Sequence, residues 1–194
     1  MYYFRQAVFV FLYVVLMSFT AFAITYIPIF ILKLLLLIAN FLLFSFIAVN
    51  NFYREGQVAM KVRRNNDITR KRIAETGDDL PLKRQAEYRT YKGYLIGALV
   101  FSPCLLLLII NTVVMLIGGG NTMGTVASTG YMLFFWVYTL FGVEIVSPWQ
   151  YFVVLWGAVY LAVLSGIAFT LGAKRQEENY KAMEKMHETY GDKK

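Results

Sequence analysis

Residues 7–25 of the chain are AVFVFLYVVLMSFTAFAIT, and residues 29–49 are IFILKLLLLIANFLLFSFIAV. Only Tyr26-Ile27-Pro28 separates the two runs, and proline disfavours helical geometry in the residue before it. A run of about 20 apolar residues is long enough to cross the hydrocarbon core of a bilayer as a helix. We therefore expect residues 1–49 to form a transmembrane helical hairpin, in which the long stem of Lys33 reaches the nearby interface.

The first apolar run also permits a second interpretation. Arg5, the apolar stretch and Ala21-Phe22-Ala23 have the layout of a signal peptide with its cleavage site. The run starts directly after a very short head and continues beyond Ala23, which favours a retained span. Cleavage would remove the first span and leave the later topology unchanged.

The composition of the whole chain agrees with a membrane protein. Of the 194 residues, 58% are hydrophobic and 16% are charged, whereas soluble domains average about 45–50% and about 25%. These values exclude a disordered chain, a fibrous repeat and an ordinary soluble enzyme. Residues 93–117, which include Pro103, and residues 149–172 are two further apolar runs of spanning length. We predict an all-α polytopic membrane bundle with four transmembrane helices.

A fifth apolar segment lies between the last two runs, within the predicted extracytoplasmic segment 118–148. Residues 118–130 are rich in Gly, Thr and Ser, which is typical of a loop. Residues 131–143, YMLFFWVYTLFGV, would cover only about 20 Å as a helix, less than the hydrocarbon core. We expect a short interfacial or re-entrant helix there.

Two polar segments complete the chain. Residues 50–92 hold eleven Lys and Arg and six acids, and residues 173–194 form a charged tail. Good helix formers from Asn51 to Thr76 predict that the second span continues as a helix, which Gly77 ends. A second short helix is expected over residues 82–92.

The distribution of basic residues predicts the topology. With four spans, the head, segment 50–92 and the tail lie on one side and carry 18 of the 19 Lys and Arg. If residues 131–143 also crossed, the division would be 12 to 7. Because Lys and Arg accumulate on the cytoplasmic side, we predict a multi-pass protein of the cell membrane with both termini and segment 50–92 in the cytoplasm.

A basic cluster follows the second span and is the main candidate contact site. Such a cluster attracts anionic lipid head groups or a partner, although a solvated face that only sets the topology explains the same charges. No nucleic-acid-binding motif accompanies it, and acids are interspersed, so we expect no nucleic-acid partner. The cluster comprises Lys61, Arg63, Arg64, Arg70, Lys71 and Arg72.

Small residues recur at the spacing that lets membrane helices approach closely. This small-xxx-small pattern predicts helix packing, either within the chain or against another membrane subunit or a second copy. The residues are Gly93, Gly97, Ala158, Ala162 and Gly166. Separately, Glu144 is the only acid outside the polar segments. It is either an ion site or an acid at a helix end beside water.

The sequence offers little for catalysis or cofactor binding. Cys104 and His187 are the only cysteine and histidine, too few for a four-ligand zinc site. No span contains Asp or Glu, so a membrane hydrolase with paired carboxylates has no acid–base pair. We predict no catalytic residue, no metal and no cofactor.

The leading hypothesis is a non-enzymatic integral membrane protein, an accessory or structural subunit of a membrane transport or envelope assembly. One alternative is a small channel or transporter acting as a homo-oligomer, for which Pro103, Glu144 and the aromatic segment 131–143 are the supporting features. Another is a membrane enzyme that acts on lipid and holds the head group with Arg and Lys.

Overall fold

The fold is almost entirely helical over the residues that the computed structural model describes, which are residues 2–77, 80–117 and 155–191. In chain order, the helices are α1 (Tyr2–Thr25), α2 (Phe30–Thr76), α3 (Tyr91–Leu116) and α4 (Leu155–Gly191), with a single 3-10 turn, Arg84–Ala86, between α2 and α3. The predicted segment 131–143 and Glu144 lie outside the described residues.

Three of the described helices are long and apolar enough to cross a membrane, which is compatible with a membrane protein. They are Tyr3–Thr25, Phe30–Thr76 and Trp156–Thr189. Many large apolar side chains on their outer faces are exposed, including Leu16 and Leu42 at 58% and 60%. Outward-facing apolar side chains are what a lipid environment requires of a bundle.

The sequence correctly predicts the first turn and the end of α2. Helix α1 ends at Thr25, and α2 begins at Phe30 after Pro28. Helix α2 then continues without interruption for 47 residues, until Gly77 adopts a left-handed conformation with φ of 75°. Its N–H donates to the carbonyl of Ile73 at 2.9 Å, which is the usual way a glycine closes a helix.

The short helix expected over residues 82–92 is wrong. Only Arg84–Ala86 forms a 3-10 turn, and Glu87 is extended. The backbone N–H of Tyr88 donates to the carbonyl of Ala59 on α2, 3.1 Å away. Side chains and backbone of neighbouring helices provide hydrogen-bond partners for this segment. Its backbone therefore does not need to form a regular helix to be hydrogen-bonded.

The four helices pack in the order α1, α2, α4, α3 around the bundle. Helix α2 packs against α1 and α4, and α3 packs against the same two helices. Helices α2 and α4 run parallel to each other. Ser45 contacts Tyr160, and further along both helices Arg64 contacts Glu184. The polar second halves of both helices therefore extend from the same end of the bundle.

The start of α1 and the start of α3 lie at that same end. Gln6 of α1 donates from Nε2 to Oε1 of Glu55 on α2 at 2.8 Å, and Lys92 of α3 lies over the ring of Tyr3. We call residues 50–76 of α2, residues 80–90 and residues 173–191 of α4 the polar stalk. The apolar core lies mainly above the stalk and reaches into it at Phe52. It is built around Val14, Phe44, Phe52, Ile96, Val100, Phe101 and Leu161.

Candidate functional site

The structure brings the small residues of α3 and α4 together. A Cβ atom built on Gly97 would lie 2.8 Å from Cα of Ala162, and one on Gly93 would lie 2.9 Å from the carbonyl oxygen of Ser165. The hydroxyl of Ser165 donates to the carbonyl of Gly93 at 2.8 Å. Only glycine permits this backbone separation, so Gly93 and Gly97 set the distance between the two helices. Gly166 faces the ring of Tyr94, and Ala158 packs on the core.

A second glycine contact, which the sequence analysis missed, joins α2 and α4. A Cβ on Gly56 would overlap the carbonyl of Phe169, and one on Gly172 would overlap the carbonyl of Tyr53. Gly56 is the single glycine of α2. An interior helical glycine costs about 1 kcal/mol relative to alanine, so its presence in a run of good helix formers was the signal that a close contact needs it.

Three polar side chains inside the apolar part of the bundle, Asn40, Ser45 and Tyr160, are paired with each other or with the backbone. Asn40 is buried and donates from Nδ2 to the carbonyl of Met17 at 2.9 Å. The hydroxyl groups of Ser45 and Tyr160 lie 2.6 Å apart and share a hydrogen bond between α2 and α4. Such bonds hold membrane helices in register.

A buried ionic cluster fixes the segment that precedes α3. Glu87 is 8% exposed and accepts hydrogen bonds from Arg70 and from Nδ2 of Asn66, the latter at 3.1 Å. Oδ1 of Asn66 accepts a bond from the backbone N–H of Lys83 at 3.2 Å. The hydrogen bonds from Arg70 lower the pKa of Glu87, although burial opposes this. The cluster therefore contains an ionised carboxylate that is committed to holding the segment against α2.

Lys92 closes the same segment from the other side. Its side chain is 2% exposed, and Nζ donates to the carbonyls of Gln85 at 2.6 Å and Glu87 at 2.5 Å. The ring of Tyr3 lies beneath the ammonium group, with 5.1 Å between Nζ and the ring centre. The hydrogen bonds of Lys92 go to backbone oxygens, so its evident role is to fix the loop.

Two members of the predicted basic cluster are used inside the stalk. Arg64 pairs with Glu184 of α4 and lies over the ring of Tyr180, with 4.1 Å from Cζ to the ring centre. Arg70 pairs with Asp67 and Glu87. Arg63 is exposed. The pKa of Glu177 is lowered mainly by its hydrogen bond with Lys181, and the positive charge of Arg63 lowers it further.

The remaining members of the cluster point away from the bundle. Lys61, Lys71 and Arg72 are exposed, and none of them forms an ion pair with any residue in the described ranges. Two of them share one side of α2 with Asn65 and Ile68, because the four residues are spaced four, three and four apart. All four are exposed, and Ile68 is 53% exposed. We call Lys61, Asn65, Ile68 and Arg72 the outer face of α2.

The described residues contain no group of three or more His, Cys, Asp or Glu side chains that could hold a metal ion. His187 is exposed on α4. Comparison with protein-family models, with curated proteins and with solved structures finds no match to the chain.

Proposed function

We propose that the protein is a non-enzymatic integral membrane protein with four transmembrane helices, and that it serves as an accessory or structural subunit of a membrane transport or envelope assembly. Helix α3 supplies the fourth span. Its 26 residues correspond to about 39 Å of helix, and residues 93–116 carry no charge. Its close packing on α1 and α4 supports the same assignment.

We further propose that the polar stalk is cytoplasmic and that the membrane is the cell membrane. The support is the excess of Lys and Arg at one end of the bundle, which the positive-inside rule assigns to the cytoplasm. With four spans, the head and the whole stalk would lie on one side, as the rule requires.

Cysteine labelling in intact cells tests this orientation. In a Cys104→Ser background, Met186→Cys on the stalk should react with a membrane-impermeant maleimide only after the cells are opened. Tyr26→Cys, in the turn at the opposite end and 74% exposed, is the matched control and should react in intact cells. Labelling of Met186→Cys from outside would overturn the topology.

The main support for the accessory role is the outer face of α2. The ionic groups on the inner side of the stalk hold the stalk together, whereas the outer face presents two unpaired cations around an exposed isoleucine. Residues 61–72 lie about 18 to 35 Å along the helix beyond Val49, well past the Debye length of about 8 Å in physiological salt. We therefore favour an acidic protein surface with an apolar centre as the partner, over the lipid head groups that the basic cluster also permits.

A site-specific photo-cross-linker distinguishes this surface from the rest of the stalk. Placed at Ile68, it should join the protein to one membrane-associated partner that also co-purifies in a fixed ratio. Placed at Met186, which is 56% exposed on α4, it should not. Lys61→Glu with Arg72→Glu should abolish the cross-link, while Lys174→Glu with Lys185→Glu makes the same charge change on α4 and should preserve it. Equal cross-linking in the two double variants would contradict the docking role.

Reconstitution separates this proposal from its alternatives. The pure protein in liposomes should neither conduct ions nor convert lipid, because the accessory role requires a partner. Solute flux that Glu144→Gln reduces would favour the channel, and turnover of lipid would favour the membrane enzyme.

A further inference from the structure

A groove between α1 and α2 lies where the apolar bundle meets the polar stalk. It has a volume of about 440 Å³ and is bordered by Arg5, Gln6 and Phe9 of α1 and by Asn51 and Arg54 of α2. The polar part of the lining, which we call the mouth, is therefore cationic and rich in hydrogen-bond donors, and apolar side chains such as Phe9 complete the lining. Nothing in the helix packing described above uses these two arginines.

The two arginines are exposed and available. Neither Arg5 nor Arg54 forms an ion pair with another residue in the part of the chain that the structure describes. The nearby carboxylate of Glu55 accepts a hydrogen bond from Gln6 at 2.8 Å. The lining thus has two guanidinium groups and one carboxylate, which leaves an excess of one positive charge.

The height of the groove matches the head-group layer. Arg5 precedes the first apolar run by two residues, and Arg54 follows the second run by five, which corresponds to about 3 Å and 8 Å of helix. The polar layer on each side of a bilayer is about 5 to 8 Å thick. In the orientation proposed above, both arginines therefore fall within the head-group layer.

An apolar track leads from the groove along α1. Spacings of four, three and four residues place Arg5, Phe9, Leu12 and Leu16 on one side of the helix, and the three apolar side chains are 55%, 58% and 58% exposed. A ligand with an anionic head and an acyl chain would contact the arginine and the track together, whereas free phosphate would use only the mouth.

We propose that this groove binds one anionic phospholipid, with its phosphate held by Arg5 and Arg54 and one acyl chain along Phe9, Leu12 and Leu16. Arginine suits this role because its planar guanidinium can donate two parallel hydrogen bonds to a phosphate. The excess positive charge favours a lipid with net negative charge over a zwitterionic one. The assignment rests on the membrane orientation proposed above and is independent of the docked partner.

Native mass spectrometry of the full chain tests the proposal directly. The protein, purified in detergent, is mixed with phosphatidylglycerol or phosphatidylcholine of the same acyl chains. We expect one phosphatidylglycerol to be retained in preference to phosphatidylcholine. Arg5→Gln with Arg54→Gln should weaken retention about thirtyfold, because each basic residue at an anionic surface contributes about 1 kcal/mol.

Matched variants separate this site from general charge. Arg175→Gln removes an arginine of α4 that is 62% exposed and lies outside the groove, and it should leave lipid retention unchanged. Arg5→Lys with Arg54→Lys keeps the charge without the two-pronged geometry and should give intermediate retention. Circular dichroism and gel filtration check that each variant remains folded, which is expected because both side chains are exposed.

Three outcomes would overturn the assignment. They are equal retention of the two lipids, equal loss in Arg175→Gln and in the double glutamine variant, and displacement of the lipid by millimolar glycerol phosphate. The last result would mean that the groove holds soluble phosphates. Loss of the Ile68 cross-link with lipid retention intact would reject the docking role alone, so the two proposals fail separately.

Discussion

The guanidinium of Arg70 and the carboxylate of Glu87 form a two-armed ion pair that ties α2 to the segment before α3. Nη2 of Arg70 lies 2.8 Å from Oε2 of Glu87, and Nη1 lies 3.1 Å from Oε1. Because Glu87 is buried while Arg70 is half-exposed, the carboxylate depends on this partner for its charge. The pair makes residues 83–90 part of the folded stalk.

Glu87→Gln should loosen this segment. The variant replaces an acceptor of charged hydrogen bonds with a neutral amide, and such bonds are among the stronger ones in proteins. We expect tryptic cleavage after Arg84 to accelerate about tenfold, measured by mass spectrometry of the fragments. Glu184→Gln, which breaks the exposed pair with Arg64, is the control and should change this cleavage little, because exposed pairs contribute weakly. Equal acceleration in both variants would argue against a special role for Glu87.

The same cluster predicts a pH dependence. Hydrogen bonds from Arg70 hold the pKa of Glu87 below its ordinary value of 4.5. A carboxyl group whose pKa is lower in the folded state adds stability that is complete above the unfolded pKa and is lost as the pH falls through the folded pKa. Amide-exchange protection of residues 83–90, corrected for intrinsic rates, should therefore stay constant down to about pH 5 and fall below it.

Other carboxylates titrate in the same range, so the difference between variants isolates Glu87. In Glu87→Gln, protection should be lower at neutral pH and should change less on acidification. Parallel curves for the two proteins would show that Glu87 is not the group responsible.

Gly56→Ala should destabilise the contact between α2 and α4. Alanine normally favours a helix by about 1 kcal/mol over glycine, but here its Cβ would overlap the carbonyl of Phe169. Since that neighbour is backbone, both helices must shift, and we expect a net loss of about 1 to 3 kcal/mol. Unfolding in mixed micelles measures it. The control is Val58→Ile, which adds one carbon at an exposed position of α2 and should leave the stability unchanged. If Gly56→Ala stabilised the protein, the close contact would be disproved.

Ser45 and Tyr160 should be energetically coupled. Their hydroxyl groups lie 2.6 Å apart, and hydrogen bonds between membrane helices average about 0.6 kcal/mol in double-mutant cycles. Ser45→Ala and Tyr160→Phe, made singly and together, should give a coupling energy of about this size. The control is a second cycle in which Ser102→Ala takes the place of Ser45→Ala. The hydroxyl of Ser102 donates within α3 to the carbonyl of Leu99, so Ser102 should show no coupling to Tyr160.

Several features were predictable because they depend on local sequence. The turn at Pro28, the long continuation of α2 and its end at Gly77 follow from proline geometry, helix propensity and the left-handed glycine cap. The membrane class follows from the apolar runs of α1, α2 and α4. The division into segments, the topology and the assignment of Glu144 remain predictions.

Other features were not predictable because they depend on residues distant in sequence. The region over 82–92 has good helix formers, but its polar groups are satisfied by Ala59, Asn66 and Arg70 on α2. The basic cluster looked uniform, yet contacts with α4 and Glu87 engage Arg64 and Arg70. Arg5 and Arg54 became a candidate site only when α1 and α2 placed them on the same groove.

The sequence by itself determined that the chain forms long apolar helices with a basic polar region. Hydrophobicity and helix propensity are properties of contiguous residues, and they act before any tertiary contact forms. The tertiary structure decided which charged side chains form ion pairs and which remain exposed. That depends on the parallel packing of α2 and α4 through Gly56 and Gly172 and on the antiparallel packing of α1 on α2, because an ion pair or a binding groove requires atoms within a few ångströms of each other.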